Sequence, residues 1–168
     1  GSSFATTTVH DQLASQQISF PAAGEQSITA LPAADASAMS QYAGQQLTTG
    51  PQAEAYANHF INVHLNETAG GKTYSQLSAA SMAAPTDTKL SGQVATVFKG
   101  TTLRGMLLNA YAFGTMATIA LYAAIAAFIG AGLLLILSIL GFAHLRRVAP
   151  AAEVFPSLTG KMPADVKA

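Results

Sequence analysis

The chain has 168 residues, of which 10% are charged and half are hydrophobic, and its formal net charge is zero, with eight basic and eight acidic residues. Soluble domains carry about 25% charged residues, so the charged fraction of this chain is low. Because the few basic residues are balanced by acidic ones, the composition does not indicate binding to nucleic acid. The chain has no cysteine, which excludes disulfides, zinc-thiolate sites, iron–sulfur ligation and a lipoprotein anchor. The length suits one modest domain together with a membrane helix.

The first 50 residues predict short elements joined by loops. Val9 and Leu13 are spaced for a helical turn, whereas residues 18–20 precede a proline and favour an extended backbone. The following segment is rich in Ala, Ser, Gln and Gly. It predicts one short helix with Asp35 as N-cap and Gly44 at its C-terminus.

The clearest helix of the N-terminal region is predicted at residues 51–71. Thr49 is a candidate N-cap, Pro51 suits the first turn, and Gly70 and Gly71 end the helix. Large apolar side chains recur at roughly helical spacing, which requires a packing partner. These side chains belong to Tyr56, Phe60, Val63 and Leu65.

Two further helices are predicted before the long apolar stretch. Residues 75–83 predict a short helix that Pro85 ends. Residues 93–98, QVATVF, fit a strand or a helix, and we favour a helix. This helix would continue directly into the apolar stretch, and Gly100 is the one residue between them that disfavours a helix.

The stretch from residue 105 to residue 145 contains no Asp, Glu, Lys or Arg. A bilayer core needs about 20 apolar residues in a helix, so the stretch predicts a transmembrane helix. Polar side chains such as Asn109 and Thr115 gather in its first half. We therefore place the span at about residues 118–142 and expect the first ten or so residues to form a rigid stalk above the membrane.

The flanking charges predict the orientation. Arg146 and Arg147 follow the span at once, whereas Lys99 and Arg104 lie further away on the other side. Basic residues favour the cytoplasmic side of a membrane. We therefore expect a protein of the cell membrane whose C-terminus lies in the cytoplasm. The predicted organisation is mainly α: an extracytoplasmic domain of helices and loops over residues 1–104, a long helix over 105–145, and a cytoplasmic tail over 146–168.

Small residues lie along one face of the predicted span, and small-xxx-small spacing lets membrane helices approach closely. We interpret this face as a docking surface for a partner helix. The alternative is that it reflects the abundance of alanine in the whole chain. The docking face, as the term is used below, consists of Ala120, Ala123, Ala124, Ala127, Gly130 and Ala131.

No pattern in the chain predicts an enzyme. His59 and His64 are five residues apart, whereas a helical zinc motif needs a spacing of four, and His10 stands beside Asp11 alone. The run Gly70-Gly71-Lys72-Thr73 lacks the glycine spacing of a phosphate loop. We expect no catalytic, cofactor-binding or metal-binding residue.

Three segments resemble a group of actinobacterial two-pass membrane proteins: DQLASQQISFPAAG, YANHFINVHLNETAGGKTYSQLS and TVFKGTTLRGMLLNAYAFGTMA. Such proteins are sometimes labelled as aromatic ring-opening dioxygenases, a reading that we reject because the chain offers no metal triad. The resemblance implies that a first transmembrane helix precedes Gly1. A cleaved signal peptide before Gly1 is the alternative that the residues leave open.

Some small membrane proteins of this kind are similar to accessory subunits of the mycobacterial-type cytochrome bcc–oxidase supercomplex. The resemblance implies a non-catalytic accessory subunit of such a respiratory complex, with other integral membrane subunits and lipids as partners. The alternative is a stand-alone envelope protein whose extracytoplasmic domain binds a ligand or a cell-wall component. Stoichiometric zinc or iron would favour an enzyme that uses His10, His59 and His64.

Overall fold

A computed structural model describes residues 2–147, and the tail predicted beyond residue 147 lies outside the described residues. The chain is mainly helical, as predicted. It divides into two compact units, Gly1–Tyr122 and Ala123–Ala168. The last helix contributes residues to both units, and each unit is described by itself below.

The first unit begins with three short helices, α1 (Ser2–Ser15), α2 (Gln26–Thr29) and α3 (Ala33–Ser40). The extended backbone predicted at residues 18–20 is present, since Ser19 forms an isolated antiparallel bridge with Gln46. Two backbone hydrogen bonds flank the bridge, from Phe20 N–H to the Gln45 carbonyl at 2.8 Å and from Leu47 N–H to the Ile18 carbonyl at 2.8 Å.

The predicted boundaries of α3 are wrong at both ends. Pro32 is the N-cap and Asp35 lies in the first turn, because the fixed φ of proline, −53° here, starts the helix earlier than the carboxylate would. The helix ends at Ser40, and Gly44 adopts a φ of +70° in the turn that follows. Asp35 is therefore free to contact another element.

The predicted 51–71 helix is confirmed as a composite of α4 (Gly50–Tyr56), a π-helical turn (Ala57–Ile61) and α5 (Asn62–Ala69). Thr49 caps it as predicted: its hydroxyl accepts from Gln52 N–H, and the Gln52 side chain accepts from Thr49 N–H at 3.0 Å. Gly70 ends the helix in the left-handed region with a φ of 58°. The π turn is not predicted by the sequence.

Two helices complete the described chain, α6 (Tyr74–Ala83) and α7 (Thr88–Leu145). Helix α7 has 58 residues, so it is about 87 Å long at about 1.5 Å per residue. It begins before the predicted helix at 93–98 and runs through Gly100 without a break. At this position the helix packs closely against α5, because an added Cβ would lie 2.5 Å from Leu65 Cδ2 and the Leu65 side chain would have to move.

The core of the first unit forms where α1, α3 and α4–α5 meet α7. Leu107 of α7 is 2% exposed and Ala117 is 6% exposed. The predicted stalk therefore packs as part of the domain. The main buried cluster consists of Val9, Leu13, Phe20, Ile28, Leu31, Met39, Leu47, Ala53, Ala57, Ile61 and Leu107.

This packing predicts a large difference between two neighbouring positions of α7. Leu107→Ala removes a buried side chain and should lower the free energy of unfolding by about 2–5 kcal/mol. Met106→Ala is the matched control, since Met106 is 66% exposed and its loss should change that free energy by about 0.5 kcal/mol or less. Chemical denaturation of both variants in detergent, followed by circular dichroism, measures the difference. Equal effects would contradict the packing of α7 in the core.

Candidate functional site

The most unusual surface of the molecule is the end of α7. After Ala117, every described residue is exposed apart from the half-buried Gly130. No residue in the most apolar 18-residue window is buried. A core helix of a water-soluble protein would bury such a surface, because a helix that is apolar all round is not stable in water. Helix α7 is thus long and apolar enough to cross a membrane.

The length of the exposed stretch suits a bilayer. Residues 118–142 cover about 37 Å at about 1.5 Å per residue. The hydrocarbon core is about 30 Å thick, so the stretch spans it with a modest tilt or a short projection at either end.

Small and bulky side chains occupy different faces of residues 120–131. At about 100° per residue, the six positions of the docking face fall within an arc of about 120°. Towards the C-terminus the arc is mixed, because Leu134 and Phe142 fall within it as well as Ser138 and Gly141. The opposite side carries Leu121, Tyr122, Ile125, Phe128, Ile129, Leu133 and Ile136, which are exposed. The alanines are therefore segregated on the helix, although the docking role of their face stays a prediction.

The basic residues that flank the exposed stretch differ in their surroundings. Arg146 and Arg147 are exposed, as is Lys99. Arg104 is half-buried, and its Nη2 donates a hydrogen bond to Asn58 Oδ1 at 2.8 Å. Arg104 is therefore hydrogen-bonded within the first unit, and Arg146 and Arg147 are the basic residues nearest to the exposed stretch in the sequence.

The structure does not bring the histidines together. His59 Nδ1 lies 2.7 Å from Asp35 Oδ1, His64 Nδ1 lies 2.8 Å from the Phe60 carbonyl, and His10 pairs with Asp11. Within residues 2–147, no group of three or more His, Asp or Glu side chains could hold a metal ion. Sequence reasoning missed the His59–Asp35 pair, because it depends on a contact between residues 24 positions apart and on the π turn that carries His59.

Aromatic rings form a continuous column beside the π turn. Phe20 contacts Tyr42 and Tyr56 with ring centroids 5.2 and 5.3 Å apart, and Tyr56 contacts Phe60 at 4.9 Å. Phe60 in turn contacts His64 at 4.5 Å. Burial raises the pKa of the Tyr56 phenol above its ordinary value. The column therefore fixes α4–α5 on the N-terminal part of the unit.

A shallow apolar cavity of about 370 Å³ opens between α4–α5 and α7. Its walls include Tyr56 and Phe60 from the aromatic column and Leu103 from α7. A cavity of this size is at the small end of the range for ligand sites, which is about 300–1,000 Å³.

Comparison of the chain with protein-family models, curated proteins and solved structures finds no match.

The buried phenol predicts an alkaline titration. Because the folded pKa of Tyr56 exceeds its unfolded value, the protein should lose stability as the pH rises above about 10. Spectrophotometric titration of the five tyrosines should show a late component that Tyr56→Phe reduces by the amplitude of one phenol. Tyr74→Phe, which alters an exposed ring, should leave that component in place. A late component of unchanged amplitude in Tyr56→Phe would contradict the burial of this phenol.

Proposed function

We propose that the protein is a non-catalytic accessory subunit of an integral membrane complex, and that the docking face of α7 is its intramembrane contact. The observation that carries the proposal is the segregation of small and bulky residues over residues 120–131 of an uncovered apolar helix. Bulky side chains are compatible with lipid, whereas a face of alanine and glycine lets a second helix approach to backbone distance and gain van der Waals contact. The opposite, bulky face is assigned to lipid.

The proposal includes an orientation in the cell membrane. The first unit lies on the extracytoplasmic side and the C-terminus lies in the cytoplasm. The support is the exposed pair Arg146 and Arg147 directly after the apolar stretch, whereas Arg104 and Lys99 lie more than ten residues before residue 118.

The narrower form of the proposal names the complex. The sequence resemblance supports a mycobacterial-type cytochrome bcc–oxidase supercomplex, in which this chain would brace neighbouring subunits. The resemblance also supports a first membrane helix before Gly1. Consistent with that helix, α1 lies near the part of α7 that precedes the exposed stretch, since Phe4 and Phe113 line one groove and Thr6 and Gly114 line another.

Two glycines provide a matched test of the docking face. Gly130 belongs to that face, and Gly132 lies about 140° from the centre of the face in the helical projection. Gly130→Leu should reduce the co-purification of partner subunits about tenfold or more, because the new side chain separates the helices. Gly132→Leu makes the same chemical change towards lipid and should leave co-purification intact.

The measurement is gentle purification from native membranes, followed by mass spectrometry of the co-migrating subunits and haem absorbance of the fraction. Equal recovery of partners with both variants would contradict docking through this face. Recovery of the unaltered protein as a lone monomer without haem absorbance would contradict the respiratory assignment.

The proposed orientation predicts the side of the C-terminus. A reporter enzyme that is active only outside the cytoplasm should be inactive when fused after Ala168. A reporter that folds only in the cytoplasm should be active at the same position, because the arginine pair retains this end of the helix in the cytoplasm. The reverse pattern of reporter activity would contradict the proposed orientation.

A stand-alone envelope protein that binds an apolar ligand is the second candidate. The apolar cavity between α4–α5 and α7 favours it. A Leu103→Trp change should fill that cavity and abolish the binding of an apolar fluorescent probe without altering partner recovery. Probe binding together with monomeric behaviour of the unaltered protein would favour this candidate over the accessory subunit.

A further inference from the structure

A second cavity in the first unit, of about 370 Å³, lies between α5, the start of α6 and α7. Its charge is one-sided, because Lys72 and Arg104 are among its lining residues and none of those residues is acidic. The chain as a whole has equal numbers of basic and acidic residues. The lining of this cavity is therefore positively charged, although the chain as a whole is neutral.

Arg104 enters this cavity without a counter-ion. Its Nη2 donates to Asn58 Oδ1 at 2.8 Å, and Asn58 Nδ2 donates onward to Glu54 Oε1 at 2.7 Å. Its Nε is buried and has no hydrogen-bond partner. A guanidinium has five N–H donors, and a buried donor without an acceptor costs about 1–3 kcal/mol. Arg104 thus has hydrogen-bonding capacity that the described chain leaves unused.

Lys72 is placed at the cavity by a turn that only glycines favour. Gly70 and Gly71 have φ values of +58° and +75°, which reverse the chain directly after α5. Among the described residues, the ion pairs are His10 with Asp11 and His59 with Asp35. Neither Lys72 nor Arg104 therefore has a carboxylate partner in that part of the chain.

Neutral donors complete the lining. Asn62 and Asn66 are one helical turn apart on α5, so their amides lie on one face of the helix. Tyr74 and Ser75 open α6, where first-turn N–H groups have no acceptor inside the helix. The Thr73 hydroxyl accepts from Gln76 N–H at 3.3 Å, which leaves the two preceding N–H groups available to a ligand.

We propose that this cavity binds a small molecule through a carboxylate or phosphate group held between Arg104 and Lys72. The planar guanidinium suits two-point recognition of such a group, and the ammonium adds a point charge. The cavity volume limits the ligand to a small one. The inference goes beyond the accessory role, because it depends on the first unit alone and holds whichever partner α7 contacts.

The test uses the full chain purified in detergent, with inorganic phosphate and succinate as separate probes and sodium chloride at equal ionic strength as the reference. A ligand that binds only the folded state raises the melting temperature in a saturable way. We expect at least one probe to do so beyond the effect of chloride, and the stronger probe identifies the anionic group. Equal effects of both probes and chloride would overturn the proposal.

Three variants connect the effect to the cavity. Lys72→Gln should weaken the binding of the effective probe about tenfold, and Arg104→Gln should abolish it. Lys99→Gln removes the same charge from an exposed position of α7 outside the lining and should leave binding unchanged. Because Arg104 also holds Asn58, Arg104→Gln is used only if circular dichroism shows that it is folded. The comparison of Lys72→Gln with Lys99→Gln decides the question in either case. Equal binding by these two lysine variants would overturn the proposal.

Discussion

The first unit depends on the close packing of α4–α5 against α7. A glycine lies on each side of this contact. An added Cβ at Gly100 would force the Leu65 side chain to move, and one at Gly50 would lie 3.4 Å from the Tyr111 Cα atom, at the edge of ordinary contact. With the helices this close, Leu107 is enclosed and the aromatic column is held against the N-terminal segment. The short helices α1 to α3 could not bury a core by themselves, so they depend on this contact.

Helix α7 meets two environments along its length. Up to Ala117 it contributes buried positions such as Val97 and Leu107, and its exposed positions mix polar residues such as Lys99 and Asn109 with apolar ones such as Phe113. Beyond that residue its apolar side chains are uncovered on every face. The change in patterning explains why one continuous helix can serve as a core element and as a candidate membrane span. Over residues 120–131, the Ala/Gly arc gives the helix a directional surface that a simple anchor would not need.

Local signals in the sequence predicted the elements that local chemistry determines. The Thr49 cap, the Gly70 stop and the uncharged stretch of α7 each depend on neighbouring residues, and the structure contains all three. The π turn, the His59–Asp35 pair and the placement of Arg104 in a cavity depend on contacts between distant segments. A single sequence gives no direct signal of such contacts. The predicted start of α3 was wrong although the signal is local, because Pro32 and not Asp35 is the N-cap.

The central claim is that α7 passes from a protein core into a bilayer along one helix. The chain has no cysteine, so single cysteines can be introduced and probed in intact native membranes with a membrane-impermeant maleimide. Labelling at exposed Thr101 and no labelling at Ile125 and Leu134 is the predicted result, with both protected positions becoming reactive after denaturation. Labelling of Leu134 in intact membranes at the rate seen for Thr101 would contradict the account.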